Sequence, residues 1–425
     1  MRLYFKEVEI IDSNSSFHEQ KVNILIEDGK IKDIHSTEET PKVDRIINVP
    51  NLKASTSWLD MKVFSGEPGE EYREDIESLS EALKYGGFGY ALLMPNTNPV
   101  IQQKADIKSI LAKNIGQLTQ ILPATAISKD CEGEEMNEML DLHTAGARAF
   151  TDGANPMWNS DLLVKTLQYL QKFDGLLINF PQDRKLAMFG QMNEGITSTG
   201  MGLKGIPNVA EEIMIQRDLE LLRYAGGKIH FSCISTAKSL NLIKSAKEGG
   251  LKVTCDVNIH HLILDDSLLE SFNTNYKLLP PLRGKADQQA LVNGVKDGVI
   301  DVIVSGHQPY DEDHKKMEFD LAAFGIMGTQ ILYPLYHKYL KDEIPLNIFL
   351  KCINENPKAI LGVKQSAIEK GRIADLTFFT DSSWTFDQST NKSKSNNSPF
   401  IGEQFDALPV ALIANGQTFL SDLFN

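Results

Sequence analysis

The side chains able to do chemistry in this chain are scattered along it. His230 and Cys233 share the run His230-Phe231-Ser232-Cys233, His260 and His261 adjoin, Asp152 closes Ala149-Phe150-Thr151-Asp152, and His307 follows Ser305-Gly306. Imidazole, thiolate and carboxylate are the ligands zinc takes. A catalytic zinc needs three of them and one open position, where it lowers the pKa of a bound water to about 7. The four cysteines, Cys131, Cys233, Cys255 and Cys352, are widely spaced with no CxxC pair. No disulfide framework is expected, and the usage fits a reducing cytoplasm. Cys255 reads as a packing residue. The glycine-rich Gly200–Gly205 follows no strand in a phosphate-loop pattern, and Asp311-Glu312-Asp313-His314 reads as a solvated loop.

Eight apolar strand candidates would position such residues, near 58–64, 88–94, 119–124, 146–150, 175–180, 228–233, 251–256 and 300–305. Stretches of helical period separate them, at about 103–114, 134–144, 159–172, 208–224, 236–248 and 286–297. A further helix from about Glu74 to Tyr85 stops at Gly86-Gly87. Strand and helix alternating eight times predict an α/β chain folded as a (β/α)8 TIM-like barrel, with reactive groups at the C-terminal strand ends. A helix around 315–341 and the segment 346–361 would complete the outer ring. Residues 1–55 read as short strands, with a hairpin signal at Asp28-Gly29. Residues 366–425 have the same texture, with a turn at Asn415-Gly416. The two termini are expected to pair into one small β-sandwich domain, with the barrel spanning 56–365. Asp381–Ser398 reads as a long polar loop.

The chain has 425 residues, 42% hydrophobic and 24% charged, with a formal net charge of −14. That balance argues against nucleic acid or an anionic membrane surface as a general partner. No run of about 18 apolar residues exists, so no membrane span is expected. The N-terminus lacks the basic-then-apolar order of a secretory signal.

The stretch from Trp58 to Pro99 carries a more specific message. Its pieces Glu67-Pro68-Gly69, Tyr72, Glu74-Asp75-Ile76-Glu77-Ser78, Gly86-Gly87-Phe88 and Met94-Pro95-Asn96-Thr97-Asn98-Pro99 resemble the first barrel segment of bacterial dihydroorotases, cyclic-amide hydrolases of the amidohydrolase superfamily. The likeness continues through Asn356-Pro357 to Gly362, with Lys358 where the family has alanine, and through Gly371-Arg372-Ile373-Ala374-Asp375-Leu376. It implies pyrimidine biosynthesis as the setting and zinc as the family cofactor.

It also implies which positions held the metal, and there the chain departs. The family writes D-M-H-V-H-L-R-E-P-G where this chain has Asp60-Met61-Lys62-Val63-Phe64-Ser65-Gly66-Glu67-Pro68-Gly69. Lys62 and Phe64 replace two histidine ligands, and Gly66 replaces a substrate arginine. Gly153 takes the place of the strand-four aspartate, with Asp152 beside it. Phe180 and Cys233 replace the histidines of strands five and six, and Gly306 replaces the catalytic aspartate of strand eight. Leu279 and Tyr310 stand at altered substrate positions. Asn96 and the Gly325 backbone are what remains of substrate binding. His260 and His261 match a family pair that binds no metal, so a structural loop role is expected; His230 reads as core and His307 as hydrogen-bonded.

The expected reading is a dihydroorotase-like protein without a catalytic metal and without catalytic residues. It leans away from being an enzyme and acts as a structural or regulatory partner. Some bacteria pair such inactive chains with aspartate transcarbamoylase, which makes that enzyme the candidate partner; the family also makes a homodimer the expectation. Two alternatives stand. One is an active cyclic amidohydrolase of dihydroorotase, hydantoinase or allantoinase type, either with its metal rebuilt on Cys233, Asp152 and His230 or His307 or working by a metal-free mechanism. The other is a small-molecule sensor using the old pocket. Lys62 has two readings: its side chain snorkels to the barrel rim, or its ammonium fills part of the place where the cation was, bonded to Asp152 or to backbone carbonyls.

Overall fold

The apolar runs pair in chain order. In the computed structural model, which describes residues 1–37 and 41–423, the barrel strands are β1 (Trp58–Val63), β2 (Phe88–Leu93), β3 (Gln120–Thr125), β4 (Ala149–Phe150), β5 (Leu177–Asn179), β6 (Ile229–Phe231), β7 (Val253–Asn258) and β8 (Val302–Val304). Each pairs in parallel with the next. A parallel bridge between Val63 and His307 joins the last strand end to the first, with the Phe64 N–H donating to the His307 carbonyl at 2.9 Å. The strands are apolar because helices cover their outer face and each other's side chains fill the inside. The interior holds Leu59, Met61, Leu92, Leu122, Ile178 and Val304 in one buried cluster.

Helix α1 (Ile76–Tyr85) shows how the connections form. The Asp75 carboxylate accepts from the Ser78 N–H at 2.7 Å, and Ser78 Oγ accepts from the Asp75 N–H at 3.1 Å. This capping box starts the helix after Glu74, which stays outside it. Ile76, Leu79, Ala82 and Leu83 form the buried stripe. The helix expected around 315–341 is shorter, covering only Leu332–Tyr339. Gly325 and Gly328 break the preceding segment, and the Lys315 ammonium holds it as a loop by bonding the Ala323 and Gly325 carbonyls. The polar stretch Asp381–Ser398 is also more ordered than expected. Trp384–Phe386 pairs with Glu403–Phe405, because Trp384 and Phe386 have an apolar face to bury.

The termini meet in one eight-stranded sheet. Lys53–Thr56 lies between Arg2–Ile10 on one side and Leu376–Thr380 on the other, and Leu408–Ala414 pairs with the latter. Phe5 and Phe378 stack across it at 3.9 Å. Positions 38–40 and 424–425 of the expected terminal domain lie outside the described residues. Lys53–Thr56 passes through Ser57 directly into β1, so Trp58 sits where sheet becomes barrel. It is fully buried, its Nε1–H donates to Ser55 Oγ at 2.9 Å, and its rings touch Phe88, Tyr333 and Phe379. Trp58→Ala should cost about 3–5 kcal/mol, read as a lowered urea midpoint.

Candidate functional site

At the C-terminal end of the barrel the strand ends deliver Lys62, Phe64, Phe180 and Cys233 to one place. The β1–β2 register shifts between Asp60 and Val63, a local irregularity that re-aims a strand-end side chain. Lys62 is buried, and its ammonium lies 3.3 Å from Cys233 Sγ. It faces the Phe180 ring at 5.2 Å and the Phe64 ring at 6.0 Å, an aromatic setting that favours a cation. The ammonium is therefore inside the mouth, not out in solvent. Its expected bond to Asp152 does not form: the Asp152 carboxylate is turned back onto the loop after β3. There it accepts from the Ile127 N–H at 2.9 Å, the Ser128 N–H at 3.0 Å and Ser128 Oγ at 2.5 Å. Those donors satisfy it locally, so nothing draws it to the centre.

The acid near Lys62 is Asp256, which the sequence reading passed over. It accepts from the Cys233 N–H at 2.6 Å and faces His230 Nε2 at 2.9 Å. Burial alone would raise its pKa, but the His230 hydrogen bond, the charges of His230 and Lys62, and the Cys233 N–H hold it below the usual carboxylate value. Cys233 has a left-handed backbone (φ 56°), a conformation its N–H bond to Asp256 helps to hold. Burial pushes its thiol up to about 12 even with the ammonium beside it. The sulfur is thus a neutral thiol at ordinary pH, packed with Phe64 in the interior cluster. Thr254, Asp256 and Asn258 alternate along β7, and three polar residues at that spacing share one strand face. That was the available signal.

Two asparagines close the remaining space. Asn96 Nδ2 donates to the Asp152 carbonyl at 3.0 Å, and its Oδ1 accepts from the Ala154 N–H at 2.9 Å. A Cβ at Gly153 would fall 1.7 Å from that oxygen. Asn258 does the same at Gly306, where a Cβ would fall 2.0 Å from its Nδ2; its Oδ1 accepts from the His260 N–H at 3.0 Å and faces His260 Nδ1 at 2.7 Å. At Gly66 the Glu70 carbonyl occupies the corresponding room, 1.9 Å from where a Cβ would be.

The other expected residues fall at the rim or in structural roles. Tyr310 packs its ring over Gly325 and under the Arg73 guanidinium at 4.6 Å, and Leu279 packs against Ala187, Ile206 and Ala210. Gly325 spends its N–H on the Lys277 carbonyl at 2.9 Å and its carbonyl on Lys315 Nζ at 3.1 Å. His261 Nε2 faces the Pro280 carbonyl at 3.0 Å. His307 Nδ1 accepts from the Gly328 N–H at 3.4 Å, and Nε2 lies 3.4 Å from the buried Glu74 carboxylate without hydrogen-bond geometry. Glu74 also takes hydroxyl hydrogen bonds from Ser78 and Ser393, the latter reaching over from the 387–398 loop. Among the described residues no three His, Cys, Asp or Glu side chains gather closely enough to hold a metal ion.

The comparisons bear on the family and the fold. The family model described as dihydro-orotase-like matches residues 55–239. A dihydroorotase of Acetivibrio thermocellus is 38% identical over 94% of this chain and 95% of its own. One of Ruminiclostridium cellulolyticum is 37% identical over 98% of each. Among solved structures, L-hydantoinase from Arthrobacter aurescens superposes with a TM-score of 0.84 at 19% identity, covering 99% of this chain and 96% of its own; that likeness carries the fold. The chain belongs to the dihydroorotase-like family of amidohydrolases.

Two outcomes test this geometry. Gly153→Asp should lose about 2–4 kcal/mol from overpacking and left-handed strain. Adding Asn96→Gly should cost less than the two single losses together, a coupling seen in a double-mutant denaturation cycle. Burial lowers His260 to about 3, below the unfolded value of about 6.5. Its share of stability is full above the unfolded value and shrinks as pH falls toward 3, because the unfolded chain takes up the proton first. The Tm advantage of the native chain over His260→Gln should therefore narrow between pH 7 and pH 4.

Proposed function

We propose that this chain is a dihydroorotase homologue that has given up zinc hydrolysis and serves as a structural or regulatory subunit. The observation that carries the reading is the refilled mouth. The spaces beside Gly153 and Gly306, where the family resemblance puts carboxylates, are taken by Asn96 and Asn258 side chains. The Lys62 ammonium sits between Cys233, Phe180 and Phe64. The donor set does not fit a zinc centre of the family type. Such a centre needs three ligands aimed at one point, and a fixed ammonium there repels a dication. A metal rebuilt on Cys233, Asp152 and His230 or His307 lacks support for the same reason. Asp152 is bound to Ile127 and Ser128, His230 to Asp256 and Thr254, and His307 faces Glu74. The sensor reading loses its two remnants, because Asn96 and the Gly325 backbone already bond within the chain.

An intact barrel without its chemistry is useful as a surface, and the proposed partner is aspartate transcarbamoylase; the proposed chain is a cytoplasmic homodimer in its own right. Purified without chelator and then given zinc, the protein should hydrolyse no dihydroorotate above a buffer blank, and affinity capture from its native cell should bring down the transcarbamoylase. Zinc-dependent turnover of dihydroorotate, hydantoin or allantoin would replace this reading with the active one. Repeated capture without the transcarbamoylase would remove the partner.

A further inference from the structure

At the opposite end of the barrel, where the terminal sheet meets the start of β2, lies a cavity of about 760 Å³. Its lining includes Lys30, Tyr90, Lys364, Arg372, Ile373 and Asp375. Volumes of that order at a junction of two structural units are where small molecules bind. The walls are built by backbone. Lys30 and Ile373 form an antiparallel bridge, the Ile31 N–H donates to the Arg372 carbonyl at 2.9 Å, and the Ala374 N–H donates to the Gly29 carbonyl at 2.9 Å. The Asp28-Gly29 and Asn415-Gly416 turns touch each other beside this ledge.

The charge pattern is unusual for this molecule. In a chain of net charge −14, three cations line one cavity, and among the described residues none of Lys30, Lys364 or Arg372 has an ion-pair partner. Two acids, Asp28 and Asp375, line it as well, and each has a cation partner. Asp28 pairs with the N-terminal ammonium at 2.9 Å. Asp375 takes Ser57 Oγ at 2.5 Å and the fully buried Lys358 ammonium at 3.2 Å, which also lies over the Tyr90 ring at 5.4 Å. Lys358 stands where the family resemblance puts alanine, and it supplies the charge that neutralises Asp375. Tyr90 brings a half-buried phenol into the same space.

We propose that this cavity binds a small organic oxyanion carrying two or more negative charges, with Arg372, Lys364 and Lys30 on the charge and Tyr90 and Ile373 against the body. Guanidinium and ammonium groups around a multiply charged oxyanion give charge-assisted hydrogen bonds. The site is independent of the barrel mouth and of the zinc question. Phosphate monoesters and polycarboxylates share this chemistry, and the test separates them. Calorimetric titration of the full chain with ribose 5-phosphate and, separately, with citrate, both against sodium chloride at matched ionic strength, should give saturable binding to at least one. The one that binds identifies the source. Arg372→Ala with Lys364→Ala, two exposed substitutions, should weaken that binding about tenfold or more, and Tyr90→Phe by less. No saturable binding to either probe, or equal affinity in the double variant, would overturn the proposal. A sodium chloride response matching the probes would overturn it as well.

Discussion

The structure of the barrel mouth turns on where the Lys62 ammonium goes. A charge carried into an apolar interior is costly unless something answers it. Here the answers are the Cys233 sulfur, two aromatic faces, and Asp256 one layer further on, held ionised by His230 and by Lys62 itself. Around that cation the strand ends pack as core. Phe64 and Cys233 join the interior cluster, and Asn96 and Asn258 take the room that side chains at Gly153 and Gly306 would need. The packing is mutually consistent: any side chain at either glycine would collide with an asparagine.

Most of the architecture was legible in the sequence. Apolar runs of strand length, spaced by amphipathic helices, fixed the barrel, and the Asp28-Gly29 and Asn415-Gly416 turns marked the terminal strands. The errors have local causes. The helix expected over 315–341 failed because Gly325 and Gly328 interrupt it and Lys315 bonds its carbonyls instead. The 381–398 segment looked like plain loop because its polar residues conceal two buried aromatics and the contacts of Ser393 with Glu74.

The site was legible as a set of positions but not as a set of contacts. Lys62, Phe180 and Cys233 were expected at the mouth, and they meet there. The bond from Lys62 to Asp152 was not found, because Asp152 has three closer donors on the β3 loop. Asp256 and Asn258 were overlooked beside the more conspicuous His260-His261 pair; their alternation on β7 gives them away. Strand alternation says which face a residue takes, while the identity of its partner across the barrel is decided by packing among strands distant in sequence.

The most direct test of this account is a crystal of the protein grown with excess zinc and measured at the zinc absorption edge. No anomalous peak is expected between Lys62, Phe180 and Cys233, and the ammonium should lie beside the sulfur. A zinc peak in that space, ligated by Cys233 and with Lys62 displaced, would contradict it.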